Sequence, residues 1–146
     1  MRVDFYHLTR VPLERALPQI AEKVLASGER LLVVAGEQGA RAKLDQLLWS
    51  HAAESFLPHG LAGGEDDARQ PVLIAGETAA ANGARNVALA DGVWRDEALG
   101  FDRAFHFFDE EKIAEARLAW KALAGREGVE RHYWKQDENG RWQQAA

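Results

Sequence analysis

The residue types able to do chemistry are present in this chain, but their spacing does not assemble them. Five histidines stand at His7, His51, His59, His106 and His132, and no two share the four-residue interval that sets imidazoles on one helical face. They read as scattered surface or partner-contact side chains. Ser27, Ser50 and Ser55 are the only serines, and none lies in a nucleophile-elbow motif. The carboxylates Glu65, Asp66 and Asp67 crowd a polar loop, where solvation explains them. GLAGGE, residues 60–65, is glycine-rich but has no following Lys-Ser/Thr pair to grip a phosphate. GETAAANGAR follows an apolar run as a nucleotide-binding crevice would, yet the dinucleotide glycine fingerprint is missing. No cofactor or metal is called for.

Two other constellations suit binding. The first is LLWSHAAESFLPHG, residues 47–60, where aromatic residues sit at the end of a helix. At 100° per residue, Leu44, Leu47 and Leu48 fall on one stripe, while Trp49 lies roughly 140° from Leu44. An indole off the apolar stripe is either covered by its own following loop or offered to a partner. Phe56 comes two residues before Pro58, which stiffens its segment, and rigid aromatic anchors lose little entropy on binding. His59 either joins that patch or caps the loop through a backbone hydrogen bond. The second is EEKIAEARLAWKALAGRE, residues 110–127. Ile113, Ala116, Trp120, Leu123 and Ala124 make its apolar stripe. Arg117 and Lys121, four apart, border that stripe, and Arg126 follows at the helix end. This is either a solvated helix edge or a basic cleft beside apolar surface. Such a cleft suits an acidic peptide with a terminal carboxylate and a hydrophobic side chain.

The elements that would position these residues follow from periodicity. RVDFYHL reads as a first strand, followed by a helix with Leu13, Leu17, Ile20 and Val24 on its stripe. Pro18 marks either that helix's start or a kink. RLLVVAG and PVLIAG are continuous apolar runs of the kind buried on both sheet faces. A second helix covers roughly 38–49, ARNVALAD and RAFHFFD read as further strands, and a charged helix fills 110–124. RHYWKQDENGRWQQ reads as a hairpin turning at ENG, an antiparallel addition at one edge. GGEDDARQ, residues 63–70, reads as a mobile loop. Strands alternating with helices predict an α/β three-layer sandwich with a mostly parallel, mixed central sheet. The 146 residues suit one domain, 1–146.

The net charge of −5 argues against the chain gripping nucleic acid itself. Residues 1–110 hold 11 basic and 17 acidic side chains, and residues 111–146 hold 7 and 6, so the first part carries −6 and the last +1. A local basic site fits that imbalance better than a DNA-wrapping surface. Without cysteine there is neither a disulfide nor a thiolate metal site. No apolar run is long enough to span a bilayer and the first residues do not read as a signal peptide, so the expected location is cytoplasmic, without membrane contact.

Taken together, DFYHL, SGERLLVVAG, LLWSHAAESFLPHGLAG and FHFFDEEKIAEARLAWK resemble the chi subunit of the bacterial DNA polymerase III holoenzyme over nearly the whole chain. The resemblance implies a mononucleotide-binding-like fold without a working nucleotide site. It also implies a non-catalytic accessory subunit of the replicative polymerase. One face would bind the psi subunit of the clamp loader, as a heterodimer, or a repair helicase that competes for the same surface. The other would bind the acidic C-terminal tail of single-stranded-DNA-binding protein, so that DNA is reached only indirectly. By position, Trp49 and Phe56, with Pro58 and His59 beside them, match the first face. Arg117, Trp120 and Lys121 match the tail-binding helix. The pattern departs at Ala122, Leu123 and Ala124, where relatives place another aromatic and basic residue, and Arg126 stands in for them. The alternative on the same scaffold is a small nucleotide-binding enzyme with its ligand near residues 36–39 or 76–83. A third possibility is a homo-oligomer that buries the aromatic patch against itself.

Overall fold

A computed structural model describes residues 1–51 and 57–146. Among these, one eight-stranded sheet runs in the order β3-β4-β2-β5-β6-β1-β7-β8. Its strands are β1 (Arg2–His7), β2 (Leu31–Val34), β3 (His59–Leu61), β4 (Val72–Ala75), β5 (Asn86–Leu89), β6 (Arg103–Phe108), β7 (Glu130–Gln136) and β8 (Trp142–Gln144). All neighbours pair in parallel except β7 with β8. The helices are α1 (Leu13–Ala26), α2 (Gln38–His51) and α3 (Ile113–Leu123).

The apolar runs form strands because both their faces are covered. In β2, Leu32 and Val34 enter one core cluster and Leu31 and Val33 the other, as period-2 alternation requires. One cluster takes Ala16, Leu17, Ala21 and Val24 of α1 with Leu44 and Leu48 of α2; the opposite cluster takes Ala116, Ala119 and Leu123 of α3. The result is the expected three-layer sandwich, with two helices on one face and one on the other. Trp94, Leu99 and Phe101 from the β5–β6 connection fill the remainder of the α3 face.

Several local readings are corrected. The C-terminal hairpin is antiparallel within itself and lies at one edge as expected, but it joins the sheet through β7 running parallel to β1, in register from Arg2↔Glu130 to His7↔Lys135. The long crossover through α3 makes that direction possible. Between α2 and GGEDDARQ, where no strand was expected, lies β3, a three-residue strand that pairs with β4 at the sheet's end. Ala124 is exposed, whereas Ala119 is buried. GGEDDARQ contains a 3₁₀ turn, Asp67–Arg69, and the Asp67 carboxylate accepts from the Gly63 and Gly64 amides at 2.9 and 3.1 Å. Pro18 lies inside α1, buried, five residues after the helix begins and so not at its start.

Candidate partner-binding surfaces

The first surface lies at the β3 end of the sheet. Leu48 turns inward and is fully buried, which leaves the next residue, Trp49, off the core stripe and 59 % exposed. Its indole rests edge-on against the His59 ring, with centroids 4.9 Å apart. His59 is buried under α2, its Nδ1 2.9 Å from the Leu57 carbonyl and its Nε2 3.2 Å from the Asp45 carbonyl. His59 thus fastens the backbone at Leu57 and supports the exposed indole from beneath. Pro58 is partly exposed beside it. Leu61, on the same strand face as His59 by its spacing of two, is 44 % exposed. It extends the apolar edge and was missed in the sequence because β3 was. Phe56 lies outside the described residues.

The second surface is carried by α3 and β7, on the opposite face and beyond the centre of the sheet. Trp120 packs edge-on against Phe5 and Tyr133, at centroid distances of 5.3 and 5.5 Å. Arg131 stacks on the same ring, its guanidinium carbon 3.9 Å from the centroid, and the indole stays half-buried. Arg131 Nη1 also donates to the Trp120 carbonyl at 2.7 Å, in the last turn of the helix where carbonyls lack intrahelical partners. Arg117, Lys121 and Arg126 are exposed, and none forms an ion pair among the described residues. Burial raises the Tyr133 hydroxyl pKa, with the nearby positive charge of Arg117 opposing it. Leu118 projects from α3 at 68 % exposure. The expected set of Arg117, Trp120, Lys121 and Arg126 thus shares one helix and its C-terminal turn. Arg131 and Leu118 are additions that spacing alone did not single out.

Between the surfaces, a buried carboxylate ties the sheet together. Asp4 is fully buried and accepts from Arg2, from Arg103 Nε at 2.9 Å and from Trp134 Nε1 at 2.9 Å. Burial pushes its pKa up, but these donors outweigh that and hold it below the usual carboxylate value. In the stretch considered for nucleotides, Asn82 is buried with its amide bonded to the backbone of Leu31, Gln70 and Ala84. Its polar atoms serve the fold. No cluster of three or more possible metal ligands occurs among the described residues, and no described helix is long and apolar enough to cross a membrane.

Fold and surfaces together define a mostly parallel α/β sandwich with an exposed indole at one sheet end and a helix bearing exposed Arg117 and Lys121 on the far face. Residues 1–130 match the family model described as DNA polymerase III chi subunit, HolC, and the chain belongs to that family. It is similar to DNA polymerase III subunit chi of Pseudomonas aeruginosa, 36 % identical over 76 residues, covering 50 % of this chain and 52 % of that one. It is also similar to the Escherichia coli subunit chi, 38 % identical over 63 residues, covering 43 % of each. The matches thus span about half or less of the length of these curated relatives.

Proposed function

We propose that this protein is a non-catalytic adaptor of DNA replication, folded as one domain over residues 1–146 and working in the cytoplasm. The aromatic edge of Trp49, Pro58 and His59, with Phe56, docks the psi subunit of the clamp loader or a helicase that shares the surface. The basic helix takes the acidic C-terminal tail of single-stranded-DNA-binding protein. Arg117, Lys121 and Arg126 supply charge for the tail's carboxylates, and the half-buried Trp120 supplies apolar surface for its terminal side chain.

The observation that supports this most is the placement of those cations. Arg117, Lys121 and Arg126 stand together on α3 and its C-terminal turn beside the half-buried Trp120 and, like several other surface cations, have no acidic partner among the described residues. The test is calorimetric titration of the tail peptide into wild type and Arg117→Glu. Binding to wild type that disappears in the variant, with the fold intact, supports the adaptor. Equal affinity for both removes the tail site.

A nucleotide-binding enzyme is the alternative; a crevice of about 480 Å³ opens at the C-terminal ends of β1, β5 and β6, lined by none of residues 36–39 or 76–83, where the ligand was expected. Thermal stabilisation by several degrees in a screen of nucleotides and metals would support it over the adaptor.

A further inference from the structure

The loop joining β1 to α1, residues 8–12, ends in Pro12, which has no N–H to donate. The three amides before it converge on one atom. Thr9, Arg10 and Val11 donate to Gln136 Oε1 at 2.9, 2.8 and 3.1 Å, and the Thr9 hydroxyl adds a contact at 3.2 Å. Successive backbone N–H groups aimed at one point form a nest, whose summed partial charge suits an anionic oxygen. Gln136 brings only a neutral carbonyl. Its other amide atom, Nε2, is buried without a hydrogen-bond partner among the described residues, so the site satisfies the oxygen and leaves the nitrogen wanting.

The same loop also stands where the winding of the sheet reverses. β1 leads into α1 on one face of the sheet, while its neighbour β6 leads into α3 on the other. Crevices at such reversals are where open α/β sheets receive ligands. Here the crevice of about 480 Å³ is bordered by the same loop, by Asp91 and Gly92 after β5, and by Asp109 and Lys112 after β6. The β7–β8 turn closes against the loop from the other side. Gly140 has φ +78, and a side-chain carbon there would stand 3.0 Å from Val11 Cγ2. Gln136 and Gly140 both lie beyond residues 1–130, the span of the family match.

We infer that residues 9–11 form an oxyanion nest plugged by Gln136 of the C-terminal hairpin, and that a phosphate-type oxyanion takes the Oε1 position when the plug is removed. Glu14, Asp109 and Glu111 border the crevice and Gln136 does not, so the favourable position for the anion is the nest on the hairpin side of the loop. The hairpin is therefore a latch on a latent anion site, and it is independent of the partner surfaces above.

The test follows backbone amide resonances of wild type and Gln136→Ala during titration with inorganic phosphate and, separately, AMP. The expected result is saturable shifts at Thr9, Arg10 and Val11 in the variant and none in wild type. AMP shifts that also reach Asp91 and Gly92 extend the site across the loop to a nucleotide; shifts confined to the three amides leave it a phosphate site. Gln136→Glu carries its own anion into the nest, so it melts above wild type at neutral pH and is unmoved by phosphate. The inference is overturned if phosphate leaves the three amides of Gln136→Ala unshifted, or if Gln136→Glu melts no higher than wild type. Should Gln136→Ala fail to fold, the Gln136→Glu melt decides alone.

Discussion

Replacing Trp49 by Ala separates docking surface from core, because the two roles predict different magnitudes in two assays. With the side chain 59 % exposed, an indole of about 200 Å² offers roughly 120 Å² to a partner, or about 3 kcal/mol at about 25 cal/mol per Å². Ala keeps the first carbon, so the expected loss is about 2–3 kcal/mol, roughly 30- to 150-fold in Kd. The same residue supports the monomer mainly through its edge contact with His59, so the isolated variant should lose at most about 2 kcal/mol of stability. A core Trp would lose about 3–5 kcal/mol. The assays are calorimetric titration against the psi subunit and urea unfolding of the free protein. Kd unchanged within about threefold would refute the docking role, as would a stability loss of core size. Light scattering on the wild type at the titration concentration would expose a homo-oligomer using the same edge.

Asp4→Asn leaves Arg2 and Arg103 without their carboxylate, and because both can still reach water the expected destabilisation is about 2–4 kcal/mol by urea unfolding. Since the folded state holds the Asp4 pKa below 3.8, this residue's contribution is full above that value and fades as pH falls through the lower folded one. His106 behaves in the same sense within a higher pH window. It is fully buried between Phe5, Trp94 and Phe108, neither ring nitrogen is bonded among the described residues, and burial lowers its pKa from 6.5 to about 4. The unfolded chain binds that proton first, so acidification from about pH 6.5 to 4 should remove roughly 3 kcal/mol of stability that His106→Leu does not lose. Finally, tail binding at Arg117 and Lys121 should weaken as salt rises from low to physiological concentration, while the Trp49 contact should hardly change. Titrations at two ionic strengths check this.

How far the sequence could be read depended on how local each signal is. LLVV and VLIA announce strands by themselves, because only burial on both faces tolerates such runs. Trp49 was recognisable from its angle to Leu44, since helical geometry is fixed by spacing. Pairing direction is not local: β7 follows β1 in parallel because α3 carries the chain back across the sheet, and the hairpin turn at Gly140 says nothing about that neighbour. β3 was hidden because three residues containing Gly60 carry no period. Arg131 escaped notice because its value comes from a ring eleven residues earlier, reached only when α3 lies over β7. Gln136 was invisible for the same reason, since the amides it meets are those of residues 9–11.

If the proposed function is right, the molecule joins two partners on separate surfaces at once. The most direct measurement is sedimentation of the protein mixed with both the psi subunit and the tail peptide, comparing wild type, Trp49→Ala and Arg117→Glu. A ternary complex with wild type is expected, with Trp49→Ala losing only psi and Arg117→Glu losing only the peptide. Competition between the two ligands, or one substitution abolishing both contacts in a folded protein, would contradict it.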